Sequence, residues 1–202
     1  GKVFETIYYR KPDYVVPITF TDQYKTELKE YILPERSLVF VGSEYMPNVK
    51  GIRWFCRKVM PFIDGVKLYI LGSGMEKLRD ELENEKIEVI GTVDSLCTYL
   101  VSAGAVVMPI FYGSGMKVKT AEAIMYGKRI FATEEALAGY EIADKGMTQC
   151  GTAEEFIESI GSYFEIEGVE RKIKEVRELF EKYYNTDVYI EPLRKLLGAN
   201  NG

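Results

Sequence analysis

Histidine is absent from all 202 residues. That absence removes Ser–His and Cys–His nucleophile pairs, imidazole general bases and imidazole metal ligands from this chain. The three cysteines, Cys56, Cys97 and Cys150, are odd in number, far apart and without a C-x-x-C pair. Neither a disulfide framework nor a zinc site follows from that spacing, and reduced thiols serving as small core residues in a cytoplasmic chain are expected. No apolar run approaches the roughly 18 residues that span a bilayer. Glu5 interrupts the only early apolar stretch, so no targeting segment is expected. Positive charge is not in excess either: 26 Lys and Arg stand against 31 Asp and Glu, for a net charge of -5. A broad electrostatic footprint for nucleic acid is thereby excluded, and any anion site must be a local device. No G-x-x-x-x-G-K-[ST] run exists, which excludes a P-loop.

What is present is a chain 47% hydrophobic and 28% charged, suited to a soluble globular core. Its length fits one domain, or one domain and part of another, and its first residue, Gly1, suggests an excised or processed piece. From Ser37 onward short apolar runs alternate with amphipathic stretches. Strands are expected at Leu38–Gly42, Val66–Leu71, Ile87–Ile90, Ala105–Ile110 and Arg129–Thr133, with a weaker one at Met147–Cys150. Between them, helical periodicity runs through Ile52, Phe55, Cys56, Val59 and Phe62 or Ile63. Further helices are expected over Met75–Glu85, from an Asp94 cap through Leu100, over Lys117–Tyr126, and near 153–164, 169–184 and 187–197. Repeated strand–helix units with nearly continuous apolar strands predict an α/β domain, a doubly wound parallel sheet of Rossmann-like form. Residues 1–36 fit this pattern less well. A strand at Tyr14–Phe20, weakened by Pro17, and a helix from Thr21 or Asp22 to Ile32 would make them a strand–helix appendage, or the tail of a preceding N-terminal domain.

Two of the apolar runs are followed by the same tetrad, Gly-Ser-Gly-Met, at Gly72–Met75 and Gly113–Met116. In a parallel sheet ligands bind beyond the carboxyl ends of the strands, where glycines let backbone approach a ligand and helix N-termini favour anions. Gly113 and Gly115 stand just ahead of the helix carrying Lys117, Lys119 and Glu122. Lys117 is expected in its first turn, where a cation opposes the helix dipole unless an anion lies between. The plainer alternative is a glycine turn with two solvated lysines and an ordinary Lys119–Glu122 pair. The first tetrad begins a G-x-G-x-x-G fingerprint, but Lys77 occupies the third glycine position, which argues against a nicotinamide enzyme.

The segments "LVFVGSEYMPNVKGIRWF", "LYILGSGMEKL", "IEVIGTVDSLCTYLVSAGAVVMPIFYGSGMKVKTAEAIMYGKRIFAT" and "AGYEI" occur in one order. Together they resemble the C-terminal half of group 1, GT-B-type glycosyltransferases, strongly over about 38–142 and weakly through the terminal helices. The resemblance implies residues 37–202 as a nucleotide-sugar donor-binding domain, with an acceptor-binding N-terminal domain not encoded here. It implies a donor that is UDP- or GDP-linked, and no cofactor and no metal. The transfer would be anomer-retaining, in surface polysaccharide or glycolipid synthesis, with peripheral membrane association through the full-length enzyme. Carried over residue by residue, Glu122 matches the glutamate that accepts from ribose hydroxyls. Gly113, Ser114, Gly115 and Met116 match the turn facing sugar and diphosphate. Lys117 or Lys119 matches the basic position whose cation neutralises the leaving diphosphate, and Gly91, Thr92 and Val93 match the segment whose backbone reads the nucleobase.

The sequence departs from that family's pattern at two places. Many members carry a second glutamate where Ser114 stands, and Ser43 occupies the position of a family arginine, with Lys50 offset from the usual lysine. A non-catalytic nucleotide-sugar-binding or interaction module therefore stands as the alternative to an enzyme. A sugar-nucleotide epimerase would require catalytic acids that the sequence does not place.

Overall fold

The computed structural model describes residues 2–12, 14–24, 31–166 and 169–198. Among them six strands form one parallel sheet: β1 Ser37–Val41, β2 Lys67–Leu71, β3 Ile87–Gly91, β4 Ala105–Met108, β5 Ile130–Ala132 and β6 Met147–Gln149. Their spatial order is β3-β2-β1-β4-β5-β6. All five residues of β1 and all four of β4 are buried. Successive side chains point to opposite faces, so full burial means both faces are covered. The expected α/β Rossmann-like sheet with flanking helices is present. The chain builds outward from β1 to β3, then returns to place β4 on the other side of β1. The crevice between the ends of β1 and β4 is the topological switch point, where such sheets bind ligands.

Helix α1, Lys2–Tyr8, precedes the sheet and was not expected from the sequence. Helix α2, Met46–Lys58, starts earlier than its apolar periodicity suggested, with Pro47 in its first turn, where a missing N–H costs nothing. It lies so close to the end of β4 that a Cβ on Gly51 would stand 2.0 Å from the Pro109 carbonyl oxygen. The helix expected over Met75–Glu85 is a 3₁₀ turn, Met75–Leu78, followed by one α-turn, α3 Arg79–Leu82. Glu83 is extended, and Asn84 bridges back to Ile87, which ends it early. Helix α4, Leu96–Ser102, is capped at Ser95, not Asp94, and no side chain satisfies its first amides. The β4 strand stops at Met108 because Pro109 has no N–H for the ladder.

Helix α5, Val118–Met125, carries the candidate site. The short α6, Glu134–Leu137, was not anticipated; Thr133 caps it by accepting from the Ala136 amide. A complete capping box between Thr152 and Glu155 starts α7, Ala153–Glu165. The helix expected over 169–184 begins only at α8, Lys174–Leu179, because the Ile173 amide donates to the Gly127 carbonyl instead of opening a helix. It continues as a π-turn over Phe180–Tyr184, and α9 spans Asp187–Leu196. In the early segment the expected strand at Tyr14–Phe20 reduces to one parallel bridge, Phe20 with Asn185. Residues 21–24 and 31–33 are not helical, and 25–30 of the expected helix lie outside the described residues. Asp22 does not cap a helix; its carboxylate accepts from the Tyr24 amide and from Arg177. Among the described residues no helix is long and apolar enough to cross a membrane.

Candidate nucleotide-sugar site

The two tetrads serve different ends. At Gly72, with φ of +125°, a Cβ would stand 1.9 Å from the Gly42 carbonyl oxygen, so this glycine lets the ends of β1 and β2 meet. Gly74, at φ +82°, would press into the Glu44 side chain. The first tetrad is therefore a packing turn. Gly115, at φ +68°, has no atom within 4 Å of a would-be Cβ; it faces open space beyond the sheet. The second tetrad leaves room for something else.

The helix after it is held rigidly. Thr120 is fully buried and its hydroxyl donates to the Ala136 carbonyl at 2.7 Å. The Tyr140 hydroxyl donates to the Lys117 carbonyl at 2.8 Å. Ala121 and Ala123 are small enough to disappear into the core, so the start of α5 has little freedom. Lys117 is the residue before the helix, in extended conformation, and not in its first turn as the sequence suggested. Its ammonium is not opposed to the dipole without relief: it donates to the Gly115 carbonyl at 2.7 Å and to Glu135 Oε1 at 2.6 Å. Lys119 donates to both carboxylate oxygens of Glu122, at 2.9 and 2.8 Å.

A cavity of about 310 Å³ opens at the switch point. Ser43 and Asn48 line it from the β1 side, and Met116, Lys117, Lys119 and Thr120 from the α5 side. A second cavity, of about 300 Å³, is lined by Val93, Asp94, Cys97, Glu122 and Tyr126, and by Gln23 from the early segment. The Lys119–Glu122 pair stands between the two, one member on each lining. Two cations on one side and a carboxylate on the other suit a ligand with an anionic middle and a hydroxyl-bearing end.

Of the residues singled out from the sequence, Met116, Lys117 and Lys119 meet in the first cavity, and Val93 and Glu122 in the second. Gly113, Ser114 and Gly115 form the turn beside them. Gly91 ends β3 and Thr92 follows it, its hydroxyl donating to Glu76 at 3.5 Å. Lys50 lines neither cavity; its ammonium lies 5.4 Å from the centre of the ring of Tyr112, the residue before the glycine turn. Sequence reasoning missed Glu135 and Gln23. Recognising Thr133 as a helix cap would have revealed α6 and put Glu135 in its first turn, though not its meeting with Lys117.

A family model for group 1 glycosyl transferases matches residues 35–165, which spans the sheet through β6, the lining of the first cavity and all of the second cavity's lining except Gln23. The chain belongs to the group 1 glycosyl transferases. Comparison with curated proteins gives no significant sequence match. Among solved structures the chain is similar to sucrose-phosphate synthase from Thermosynechococcus elongatus, at 17% identity over 98% of this chain and 57% of that one, with a TM-score of 0.76. It is also similar to Anabaena HepE in complex with UDP, at 13% identity over 82% of this chain and 49% of that one, with a TM-score of 0.65. The pneumococcal O-GlcNAc transferase GtfA, in complex with UDP and GlcNAc, is 12% identical over 98% of this chain and 42% of that one, with a TM-score of 0.66. At these identities the likeness is one of fold, the Rossmann-like C-terminal half of a GT-B architecture. This group 1 glycosyl transferase spans about half the length of those structures.

Proposed function

We propose that this chain is the donor-binding part of a glycosyltransferase and takes a nucleoside-diphosphate sugar, UDP- or GDP-linked, across the two cavities. The observation that carries the reading is the pair of lysines on a rigid helix start beside an open glycine turn, at the switch point of the sheet. Neighbours solved with UDP bound lend support. In this reading the diphosphate faces Lys117 and Lys119, and the sugar faces the Gly113–Met116 turn. The ribose hydroxyls donate to Glu122, and Gly91, Thr92 and Val93 stand nearest the base. As the glycosidic bond breaks, charge grows on the departing diphosphate, and fixed cations with helix-terminal amides stabilise it.

Residues 37–202 form the donor domain and 1–36 the tail of what precedes it. Acceptor binding falls to an N-terminal domain of the whole protein. The transfer is retaining and metal-independent, and belongs to surface polysaccharide or glycolipid assembly at the cytoplasmic side of a membrane. Such an enzyme can meet that membrane peripherally. Ser114 favours one alternative, a binding module without turnover, because a hydroxyl stands where many relatives carry a donor-sugar carboxylate.

Calorimetric titration of Glu122→Gln with a ribonucleotide and its 2′-deoxy counterpart tests the assignment. The larger loss is expected for the ribonucleotide, since the deoxy ligand already lacks one bond to the carboxylate. Equal losses would place Glu122 away from the 2′-hydroxyl. Joining the chain to its acceptor domain and assaying transfer separates the readings: turnover supports the enzyme, and binding without turnover supports the module.

A further inference from the structure

The second cavity has a wall that neither the family match nor the sequence pattern assigns. The family match begins at residue 35, yet Gln23 lines the same cavity as Val93 and Glu122. The segment that carries it is fastened at several points. The Phe20 amide donates to the Tyr184 carbonyl at 2.8 Å, and the Thr186 amide to the Phe20 carbonyl at 3.0 Å. Asp22 accepts from two guanidinium nitrogens of Arg177, whose side chain is 9% exposed. The same guanidinium donates to the Met125 carbonyl at 2.6 Å, at the end of α5. The Tyr24 ring packs 5.9 Å from Tyr126, which also lines the cavity, and Lys172 lies 4.2 Å over its face. Gln23 itself gives its amide N–H to the Met125 sulfur, while its side-chain amide has no hydrogen-bond partner among the described residues.

We propose that Gln23, latched in place by the Asp22–Arg177 pair, contacts the nucleobase of the donor and helps set which base is accepted. This inference rests on the nucleotide-sugar reading above. Its chemistry is specific. The other polar groups on the lining are two carboxylates, a hydroxyl, a thiol and a phenol. Among the described side chains on this lining only the Gln23 amide presents a donor and an acceptor on adjacent atoms, the pattern a base edge offers in return. The apolar remainder, Val93, Leu96, Leu100 and Met125, suits the faces of a flat ring.

The test compares native protein with Gln23→Ala and Asp22→Asn, titrated with uridine, guanosine and adenosine diphosphates and with inorganic pyrophosphate. Cys97 gives a second readout. It lies on the cavity and is partly exposed, whereas Cys56 and Cys150 are buried with their thiols pushed up by burial, Cys56 to about 12. Alkylation near neutral pH therefore reports Cys97. Gln23→Ala is expected to lose about tenfold in affinity for the preferred nucleotide and nothing for pyrophosphate, the size of one good hydrogen bond. Asp22→Asn is expected to lose in the same base-dependent way to a smaller extent. Bound nucleotide is expected to slow Cys97 alkylation, and pyrophosphate to leave it unchanged. Native affinity in Gln23→Ala, equal losses for nucleotide and pyrophosphate, or unprotected Cys97 would each overturn the inference. If those results appear while Lys117→Ala or Lys119→Ala still weakens the diphosphate, the donor reading stands and only the role of Gln23 falls. If native protein binds no nucleotide, both fall together.

Discussion

Glu135 already holds the cation that a diphosphate would need. Its carboxylate lies 2.6 Å from the Lys117 ammonium, and the two side chains are 30% and 20% exposed. An arriving phosphate must share Lys117 with that carboxylate, so Glu135→Gln is expected to tighten diphosphate binding. Two like charges about 4–8 Å apart repel by roughly 2–4 kcal/mol at an effective dielectric constant near 20. Physiological salt screens charges over a Debye length of about 8 Å, which at this partial exposure leaves roughly 1–2 kcal/mol. The expected gain is then about tenfold in affinity. Calorimetric titration of a nucleoside diphosphate at low and high salt measures it, and the gain is expected to shrink as salt rises. The amide keeps the shape of Glu135 and can still accept one hydrogen bond from Lys117, so the loop is expected to stay in place. An unchanged or weaker affinity in Glu135→Gln would refute the view that Lys117 faces the diphosphate. The site would then have to be centred on Lys119.

Other perturbations test the scaffold. Lys128 is fully buried between the Val101 and Arg171 carbonyls, and burial, with Arg171 nearby, lowers its pKa to about 7. An unfolded lysine titrates near 10.4, so from about pH 7 to 9.5 the unfolded state holds the extra proton and stability rises with pH. The stability of native protein relative to Lys128→Met, in which cysteine and tyrosine effects cancel, is expected to climb by up to ~1.4 kcal/mol per pH unit in that window; a flat difference in denaturant unfolding would contradict a neutral buried amine. Gly51→Ala is expected to destabilise by about 3 kcal/mol, since its Cβ would meet the Pro109 carbonyl. Gly161→Ala, in α7 with nothing within 4 Å of the new Cβ, is expected to stabilise by up to ~1 kcal/mol. Thermal unfolding of both variants checks the pair, and the opposite order would refute the packing argument.

The sheet was legible because its strands are signalled locally: Leu38–Val41 and Ala105–Met108 are apolar at every position, as only strands covered on both faces need be. The glycine turn and α5 were legible for a related reason, a buried face repeating on α5 and turn residues where φ is positive. Long-range pairing was not. Nothing local says that Lys117 meets Glu135, 18 residues on, or that Asp22 meets Arg177, 155 residues away. In the early segment Tyr14–Phe20 has strand composition but finds a ladder partner only at Phe20, and the Asp22 carboxylate is shared between the nearby Tyr24 amide and the distant Arg177. Identical tetrads with different tasks make the same point. What separates Gly72 from Gly115 is the Gly42 carbonyl oxygen pressed against one and the open space before the other.

The central claim is that the crevice between β1 and β4 binds a nucleoside diphosphate through the lysines at the start of α5. Titrating UDP and GDP into native protein and into the Lys117→Ala/Lys119→Ala double variant tests it most directly. Native protein is expected to bind one of the two, and the double variant to lose at least about tenfold, the worth of a charge-assisted hydrogen bond. Equal affinity in both proteins, or no binding to native protein, would contradict the account.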